Sequence, residues 1–305
     1  MLKRIILPCG YGQTCNQLFQ IAHWIPVAKE SGVPLYFPGF SRYAHLFAGT
    51  MNQRFPRFPG TAPDLGWPEA ALSRLCASAA RIGHVNIAPI YTLAGLLPGV
   101  VTIACDDSGR DGSTGTTQVI ESPHITAGRS LWVRGWLYRD QVGVAKHRPC
   151  IKAFFSPAPE IQARVEACIR KNRERDTVLV GVHLRRGDYS TWAGGKYYYD
   201  DNAFRKLMQR MVDILPGRNV RFLLVSNQPV EGSNYGGLDV GMGPGDPAGD
   251  LFALAACDYI MGPPSTFTLW ASFFGDVPLY EISDPSNPFR LDSFVGCTGR
   301  DALGL

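Results

Sequence analysis

Two adjacent arginines follow a long apolar run in the second half of the chain. Residues 177–184 read TVLVGVHL, and Arg185, Arg186 and Gly187 come directly after them. An apolar run without alternation is typical of a strand that is covered on both faces. Ligands of parallel sheets bind where strands end, and a guanidinium group presents a planar fork that matches phosphate oxygens. The pattern therefore indicates an anion site, although two surface cations at a strand end would give the same sequence.

A helix start after two prolines is the second candidate. Ser265 and Thr266 follow Pro263 and Pro264 and precede an apolar helical stretch. Hydroxyl residues cap helices, and a helix N-terminus also binds phosphate through its free N–H groups and its dipole. Together with the arginines this favours a diphosphate site, while capping alone is the simpler interpretation. No GxxxxGK[ST] sequence occurs, which disfavours a P-loop ATPase.

A glycine turn near the N-terminus is the third candidate. Gly10 and Gly12 follow an apolar run, but Cys15 stands where the third glycine of GxGxxG would fall. The turn is therefore weak evidence for a dinucleotide. Asn16 and Gln17 begin the next helix, and their amides are either ligand contacts or ordinary polar residues of a first turn.

Composition excludes several classes of protein. The net charge of +4 is spread along the chain, so a nucleic-acid partner is not expected. None of the eight cysteines forms a CxxC pair and no histidines are spaced HxxxH, so we expect reduced thiols and no metal site. The acidic pairs Asp106-Asp107 and Asp200-Asp201 are expected to be solvated loops or helix starts. No signal peptide or membrane span is predicted, which favours a cytoplasmic location.

The elements that must position these residues alternate between strands and helices. A strand at 3–8, a helix from 16 and a strand at 33–38 open a first domain, which we place at residues 1–150. Residues 106–118 are expected to form an exposed loop. In the second domain, residues 151–305, strands at 177–184, 219–227, 259–264 and 277–282 alternate with helices, and 231–250 is expected to be a flexible loop. The predicted class is α/β with parallel sheets.

Several motifs resemble those of the α1,2-fucosyltransferases. Residues 183–189, HLRRGDY, are similar to their HxRRGDY motif, which is quite specific. Residues 16–22 resemble their N-terminal GNQxFQxA motif, and residues 265–270 resemble STFSWW. Shorter likenesses occur at Arg134-Gly135-Trp136, Phe154-Phe155, Tyr198-Tyr199 and Cys257. The likenesses follow the family's order and span most of the chain.

The resemblance implies a GT-B fold, in which two Rossmann-like domains face a central cleft. It implies transfer of fucose from GDP-β-L-fucose to a glycan hydroxyl, with inversion and without a metal or other cofactor. The donor would bind mainly to the C-terminal domain and the acceptor to the N-terminal one. The implied donor contacts are His183 and Asp258 at the guanine, Arg185, Arg186 and Gly187 at the diphosphate, Ser265, Thr266 and Phe267 lining it, and Asn16. Asp188 is the candidate base. Alternatively, Asp188 is a structural partner that pairs with Arg186, or it is a turn residue.

Departures from the family pattern leave the acceptor open. Residues are inserted between Gly12 and Asn16, SNQ at 226–228 replaces a more acidic run, and Leu269 replaces a tryptophan. Another sugar or a protein hydroxyl acceptor is the alternative within the same fold. A remote alternative is an adhesion or lectin-like module using Arg186-Gly187-Asp188, but such tripeptides need an exposed flexible loop. The oligomeric state is not defined by the sequence.

Overall fold

Two compact α/β units make up the protein in the computed structural model. It describes residues 2–82, 87–105, 127–136 and 138–297, with the side chains of residues 80–82 excepted. The chain divides into Met1–Ala158 and Pro159–Leu305. This division falls eight residues after the predicted boundary at 150, because a helix, Gln141–Phe154, continues across that position. The loop expected at 106–118, with Asp106-Asp107, lies outside the described residues.

The N-terminal unit contains a five-stranded sheet in the order β3-β2-β1-β5-β4. Four strands are parallel, and β3 runs antiparallel to β2 at one edge. The strands are β1 (Arg4–Ile6), β2 (Leu35–Tyr36), β3 (Arg57–Phe58), β4 (Val100–Ala104) and β5 (Ser130–Arg134). The helices are α1 (Thr14–Glu30), α2 (Glu69–Ile82), α3 (Ala88–Gly95) and α4 (Gln141–Phe154). Helix α1 keeps Pro26 inside it and buries most of its length.

The C-terminal unit contains a six-stranded sheet in the order β11-β10-β9-β6-β7-β8. Its strands are β6 (Thr177–Leu184), β7 (Asn219–Ser226), β8 (Val240–Met242), β9 (Tyr259–Gly262), β10 (Pro278–Glu281) and β11 (Val295–Gly296). Its helices are α5 (Pro159–Asn172), α6 (Asp201–Asp213), α7 (Pro247–Leu254) and α8 (Thr266–Gly275). All neighbouring strands are parallel except the pair β10 and β11. The predicted α/β class with two domains is therefore confirmed.

Strand β6 lies between β9 and β7, and all of its residues are buried. Its even-numbered side chains, from Val178 to Leu184, belong to a core cluster with Phe204, Leu207 and Met208 of α6. Its odd-numbered positions face the other side: a Cβ placed on Gly181 would lie 2.5 Å from Leu254 of α7. This alternation, expected of any strand, decides which helix each residue near the strand end meets.

Two sequence predictions for this unit were incomplete. The segment 231–250, expected to be a flexible loop, contains a short 3-10 helix, Gly232–Tyr235, then β8 and the start of α7. The edge strand β8 was not predicted, because it has three residues among several glycines and is too short to show a hydrophobic pattern. The strand predicted at 277–282 was expected to be the last of the chain, but β11 follows it and pairs antiparallel with β10 at the sheet edge.

Candidate nucleotide site

His183 and Arg185 lie on the face of the C-terminal sheet that carries α8. The ring of His183 packs on the ring of Phe267, with centroids 4.9 Å apart. Burial, with a smaller contribution from the charge of Arg185, lowers the pKa of His183 to about 3, so the imidazole is neutral at pH 7. Its Nδ1 atom is buried and has no hydrogen-bond partner among the described residues. His183 therefore offers a neutral ring and an unused polar atom.

Arg185 has an unused donor beside this histidine. Its guanidinium group lies 5.1 Å from the centroid of the Tyr189 ring, and its side chain is 16% exposed. One terminal nitrogen donates to Oδ2 of Asp188 at 2.8 Å. The Nε–H group is buried without a hydrogen-bond partner among the described residues. A buried donor without a partner costs free energy unless a ligand or water satisfies it.

The helix start predicted after Pro263-Pro264 lies at the same sheet edge. Ser265 is the N-cap of α8, and its Oγ accepts a hydrogen bond from the backbone N–H of Phe267 at 3.2 Å. The simpler prediction, that Ser265 caps the helix, is thus confirmed. The Thr268 hydroxyl donates to the Ser265 carbonyl at 2.9 Å, which fixes the cap. Thr266 begins the helix, so its backbone belongs to the positive end of the helix dipole.

Arg186 is held on the opposite face of the sheet. Its guanidinium group donates to Oδ1 of Asp201, the first residue of α6, and lies over the Tyr198 ring. Asp201 also accepts hydrogen bonds from the Tyr235 hydroxyl at 2.6 Å and from the Asn234 amide at 2.9 Å. The family resemblance implied that Arg185 and Arg186 both hold the diphosphate, whereas strand alternation predicts opposite faces, with one arginine free to reach a ligand and the other paired with a carboxylate. The structure has this second arrangement: Arg185 lies on the face of Ser265, and Arg186 pairs with Asp201.

Gly187 and Asn227 hold the turn after the arginines. Gly187 has φ of +60°, a left-handed conformation, and a Cβ at this position would lie 3.0 Å from Nδ2 of Asn227. Asn227 accepts from the backbone N–H of Arg186 at 2.8 Å and donates to its carbonyl at 3.3 Å. An amide serves both backbone groups, whereas a carboxylate could serve only the N–H. The left-handed φ and the close contact explain why the turn has glycine at 187, and the two backbone hydrogen bonds explain why SNQ has asparagine at 227.

Asp188, the candidate base, is the partner of Arg185. Its carboxylate accepts from Arg185 at 2.8 Å, and 55% of its side chain is exposed. The alternative expectation, a pairing with Arg186, is wrong, because Arg186 is turned to Asp201. Of the other acidic pair, Asp200 caps α6 by accepting from the backbone N–H of Ala203, as a helix start requires.

Asp258 does not lie with His183. Its carboxylate accepts from the backbone N–H of Leu179 at 2.8 Å and pairs with Arg173 at 3.0 Å. It also lines an open groove of about 450 Å³ beside Thr177, at the amino end of β6. Leu179 and His183 are four residues apart, roughly 13 Å along a strand. Asp258 precedes strand β9, so it lies at the opposite end of the sheet from His183, and the structure does not bring these two predicted guanine contacts together.

Asp250 is a buried carboxylate that the sequence analysis missed. It lies in α7, is 6% exposed and accepts from the backbone N–H of Gly245 at 2.9 Å. Burial raises its pKa to about 6. A Cβ on Gly243 would touch both Asp250 Oδ1 and Val225, and Val225 is the register partner of His183. The available signal was one acidic residue directly before the uninterrupted apolar run LFALAAC.

Asn16 belongs to the N-terminal unit. It lies in the first turn of α1, where a Cβ on Gly12 would be 2.2 Å from its Nδ2 atom. Nearby, Gln17 is 6% exposed and donates to the Gly12 carbonyl at 3.1 Å. The two amides therefore pack against the glycine turn that precedes the helix.

In the described ranges, no group of three or more His, Cys, Asp or Glu side chains could hold a metal ion. Nor does any described helix combine the length and the apolar character that a membrane span requires.

Sequence comparison finds limited likeness to known enzymes. No family model matches the chain. It is 30% identical over 140 residues to galactoside α-(1,2)-fucosyltransferase 2 of Oryctolagus cuniculus, covering 40% of this chain and 38% of that one. Likeness to the same enzyme of Rattus norvegicus is 27% over 162 residues, 47% of this chain and 44% of that one. The match thus spans less than half the length of these curated relatives.

Structural comparison defines the fold class. The chain matches FUT1 of Arabidopsis thaliana with bound GDP at a TM-score of 0.58 and 11% identity, over 94% of this chain and 73% of that one. It matches the fucosyltransferase NodZ of Bradyrhizobium at 0.55 and 17% identity, over 94% and 97%. The α-1,6-fucosyltransferase NodZ soaked with GDP-fucose gives 0.54 and 17% identity, over 96% and 97%. The protein therefore has the fold of solved fucosyltransferases.

Proposed function

We propose that the protein is a fucosyltransferase that uses GDP-fucose as its donor. The observation that carries this proposal is Arg185, a largely buried guanidinium beside the N-terminus of α8 whose Nε–H has no hydrogen-bond partner within the described part of the chain. Such a group matches a phosphate oxygen in geometry and in charge. The motif resemblance and the structural neighbours that bind GDP or GDP-fucose support the same donor.

The diphosphate contact would act in catalysis as well as in binding. When the bond from fucose to the β-phosphate breaks, negative charge grows on the departing phosphate. Arg185 and the N–H groups at the start of α8 are aimed at one edge of the sheet and stabilise that charge. One charge-assisted hydrogen bond of this kind contributes on the order of 1.5–3 kcal/mol. Thr266 and Phe267 line the same position, and Gly187 lets the turn approach it.

Guanine recognition is assigned to Asp250 and His183. The Watson–Crick edge of guanine presents two adjacent N–H donors, and an ionised carboxylate is an acceptor only. Adenine presents a ring acceptor there, which a carboxylate repels. Asp250 is buried near the strand end that carries His183, so base and phosphate sites lie on one face of one sheet. This replaces the earlier assignment of Asp258.

The acceptor is proposed to be a glycan hydroxyl, with O2 of a terminal galactoside as the first choice. The relatives of the matched region are galactoside α-(1,2)-fucosyltransferases, which supports this choice. We propose that the acceptor binds to the N-terminal unit and that the transfer proceeds with inversion and requires no metal. Asp188, half-exposed next to Arg185, is assigned as the base that takes the hydroxyl proton.

A transfer assay with labelled GDP-fucose tests the proposal. The acceptors are a galactoside, the matched 2-deoxygalactoside and a hydroxyl-bearing peptide; GDP-mannose replaces the donor in a control, and a chelator tests metal dependence. We expect transfer to the galactoside only, from GDP-fucose only, and its loss in Arg185→Ala. Transfer to the 2-deoxygalactoside would contradict the linkage. Transfer from GDP-mannose, or to the peptide, would favour the alternative GDP-sugar transferase with another sugar or a protein acceptor.

A further inference from the structure

A ladder of stacked side chains follows Arg185. The Arg185 guanidinium lies over the Tyr189 ring at 5.1 Å, Tyr189 stacks on Trp192 with centroids 4.7 Å apart, and Trp192 stacks on Tyr197 at 5.4 Å. The interplanar angles are 30° and 33°, and Lys196 caps the far end at 5.1 Å. Two cations thus enclose three rings, an arrangement that ring quadrupoles favour.

The backbone between these rings is strongly bent. Residues 187–190 form a short 3-10 helix, and residues 192–195 form a kinked turn with non-helical backbone angles at Ala193 and Gly194. Ala193, Gly194 and Gly195 all have φ between +50° and +77°, and such a conformation is costly for alanine. The bends bring Trp192 between the two tyrosine rings. The ladder of ring contacts thus connects this bent segment to Arg185.

Tyr189 connects the ladder to the second half of the anion site. Its hydroxyl donates to the carbonyl of Pro264 at 2.5 Å, and the residue is 7% exposed. Pro264 directly precedes Ser265, the N-cap of α8. Pro263 and Pro264 have no N–H groups, so this turn can be tied only through its carbonyls. Tyr189 thus contacts Arg185 with its ring and the start of α8 with its hydroxyl.

We infer that Tyr189 is a positioning residue that sets the spacing between Arg185 and the N-terminus of α8, with Trp192 supporting its ring. The inference rests on the proposed function, because it assumes that a diphosphate occupies this spacing. The contribution should concern the phosphate groups rather than the base. It therefore predicts an effect on the preference for a diphosphate over a monophosphate, which a purely structural tyrosine would not change.

Titration calorimetry with GDP, GMP and guanosine tests the inference. In Tyr189→Phe, which keeps the ring and removes the hydroxyl, we expect GDP affinity to fall by about 2- to 10-fold, the range of one hydrogen bond. Guanosine affinity should stay unchanged, so the GDP to GMP affinity ratio falls. Trp192→Leu should lower the same ratio, and Trp192→Phe, which preserves stacking, should restore it.

The matched control is Tyr199→Phe. Tyr199 is a buried tyrosine of the same unit, and its hydroxyl donates to the Ile282 carbonyl at 2.9 Å. Its loss should lower thermal stability as much as Tyr189→Phe does, with the ratio unchanged. An unchanged ratio in Tyr189→Phe would overturn the positioning role. Failure of the wild-type protein to bind GDP would overturn the proposed function instead, and it is seen before any variant is made.

Discussion

The guanidinium group of Arg186 is paired with the carboxylate of Asp201 at the start of α6, so it points away from His183. Arg185, one residue earlier, remains on the side of His183 and Ser265. Because side chains alternate along a strand, the two neighbouring arginines point to opposite faces of the sheet and have different roles. Arg185 faces the candidate nucleotide site, and Arg186 fixes the strand end to a helix.

Arg186→Met should therefore act on stability. The substitution keeps the apolar stem and removes the charged hydrogen bond to Asp201, which we expect to lower the free energy of unfolding by about 2 kcal/mol. Urea unfolding measures this. Asp201→Asn should give a similar loss, and the double variant should cost less than the sum, because the two groups are coupled. Additive losses would show that the interaction between Arg186 and Asp201 contributes nothing to the free energy of unfolding.

Asp250 should make guanosine binding depend on pH. Its pKa is raised to about 6, and only the ionised carboxylate accepts both guanine donors. Affinity should be constant above pH 7 and fall toward tenfold per pH unit below 6. Guanosine carries no phosphate, so the ligand does not titrate in this range. Asp250→Asn should bind weakly and without this pH dependence. A wild-type affinity that is constant from pH 5 to 8 would contradict the assignment.

The raised pKa of Asp250 also predicts how the free energy of unfolding changes with pH. The folded protein holds this proton more tightly than the unfolded chain does. The stabilising contribution is therefore complete below pH 3.8 and is lost as the pH rises through about 6. Asp250→Asn should remove that loss, which urea unfolding at pH 5 and pH 7 would detect.

His183 should destabilise the fold in acid. Its pKa is about 3 in the folded protein and about 6.5 when unfolded, so its contribution is complete above pH 6.5 and is lost as the pH falls. Between pH 7 and pH 5 the loss should be about 2 kcal/mol. In His183→Gln the loss measured from the urea midpoints should be smaller by this amount, and the part that comes from buried His23, whose pKa is also lowered to about 3, should remain. His45→Gln, at an exposed position, should retain the full loss; equal slopes in both variants would contradict the prediction.

Gly187→Ala should affect binding through Asn227. Both Gly187 and Gly217 have left-handed φ angles, so alanine at either position should cost about 1–2 kcal/mol of stability. A Cβ on Gly217 meets nothing within 4 Å, whereas one on Gly187 meets Asn227. We expect reduced GDP affinity in Gly187→Ala alone. An equal reduction in Gly217→Ala would show that the φ strain, and not the contact, is responsible.

The sequence predicted the strands and the helix cap well, because both have local causes. Strand 177–184 was predicted to its last residue by its apolar run, and Ser265 was identified as a cap from the prolines before it. The partners were not predictable. The hydrogen bond between Arg186 and Asp201 spans 15 residues of sequence, and the one between Tyr189 and Pro264 spans 75. Asp250 is distinguished by its burial. No local sequence pattern indicates such contacts or such burial. Asp258 is likewise held by a contact that is distant in sequence, with the backbone N–H of Leu179.

Calorimetric titration of GDP, UDP and ADP into the wild-type protein, Arg185→Met and Arg186→Met tests the central claim most directly. The account predicts tightest binding of GDP, loss of that binding in Arg185→Met, and its retention in Arg186→Met. Equal affinity for the three nucleotides, or GDP binding that survives Arg185→Met and is lost in Arg186→Met, would contradict it.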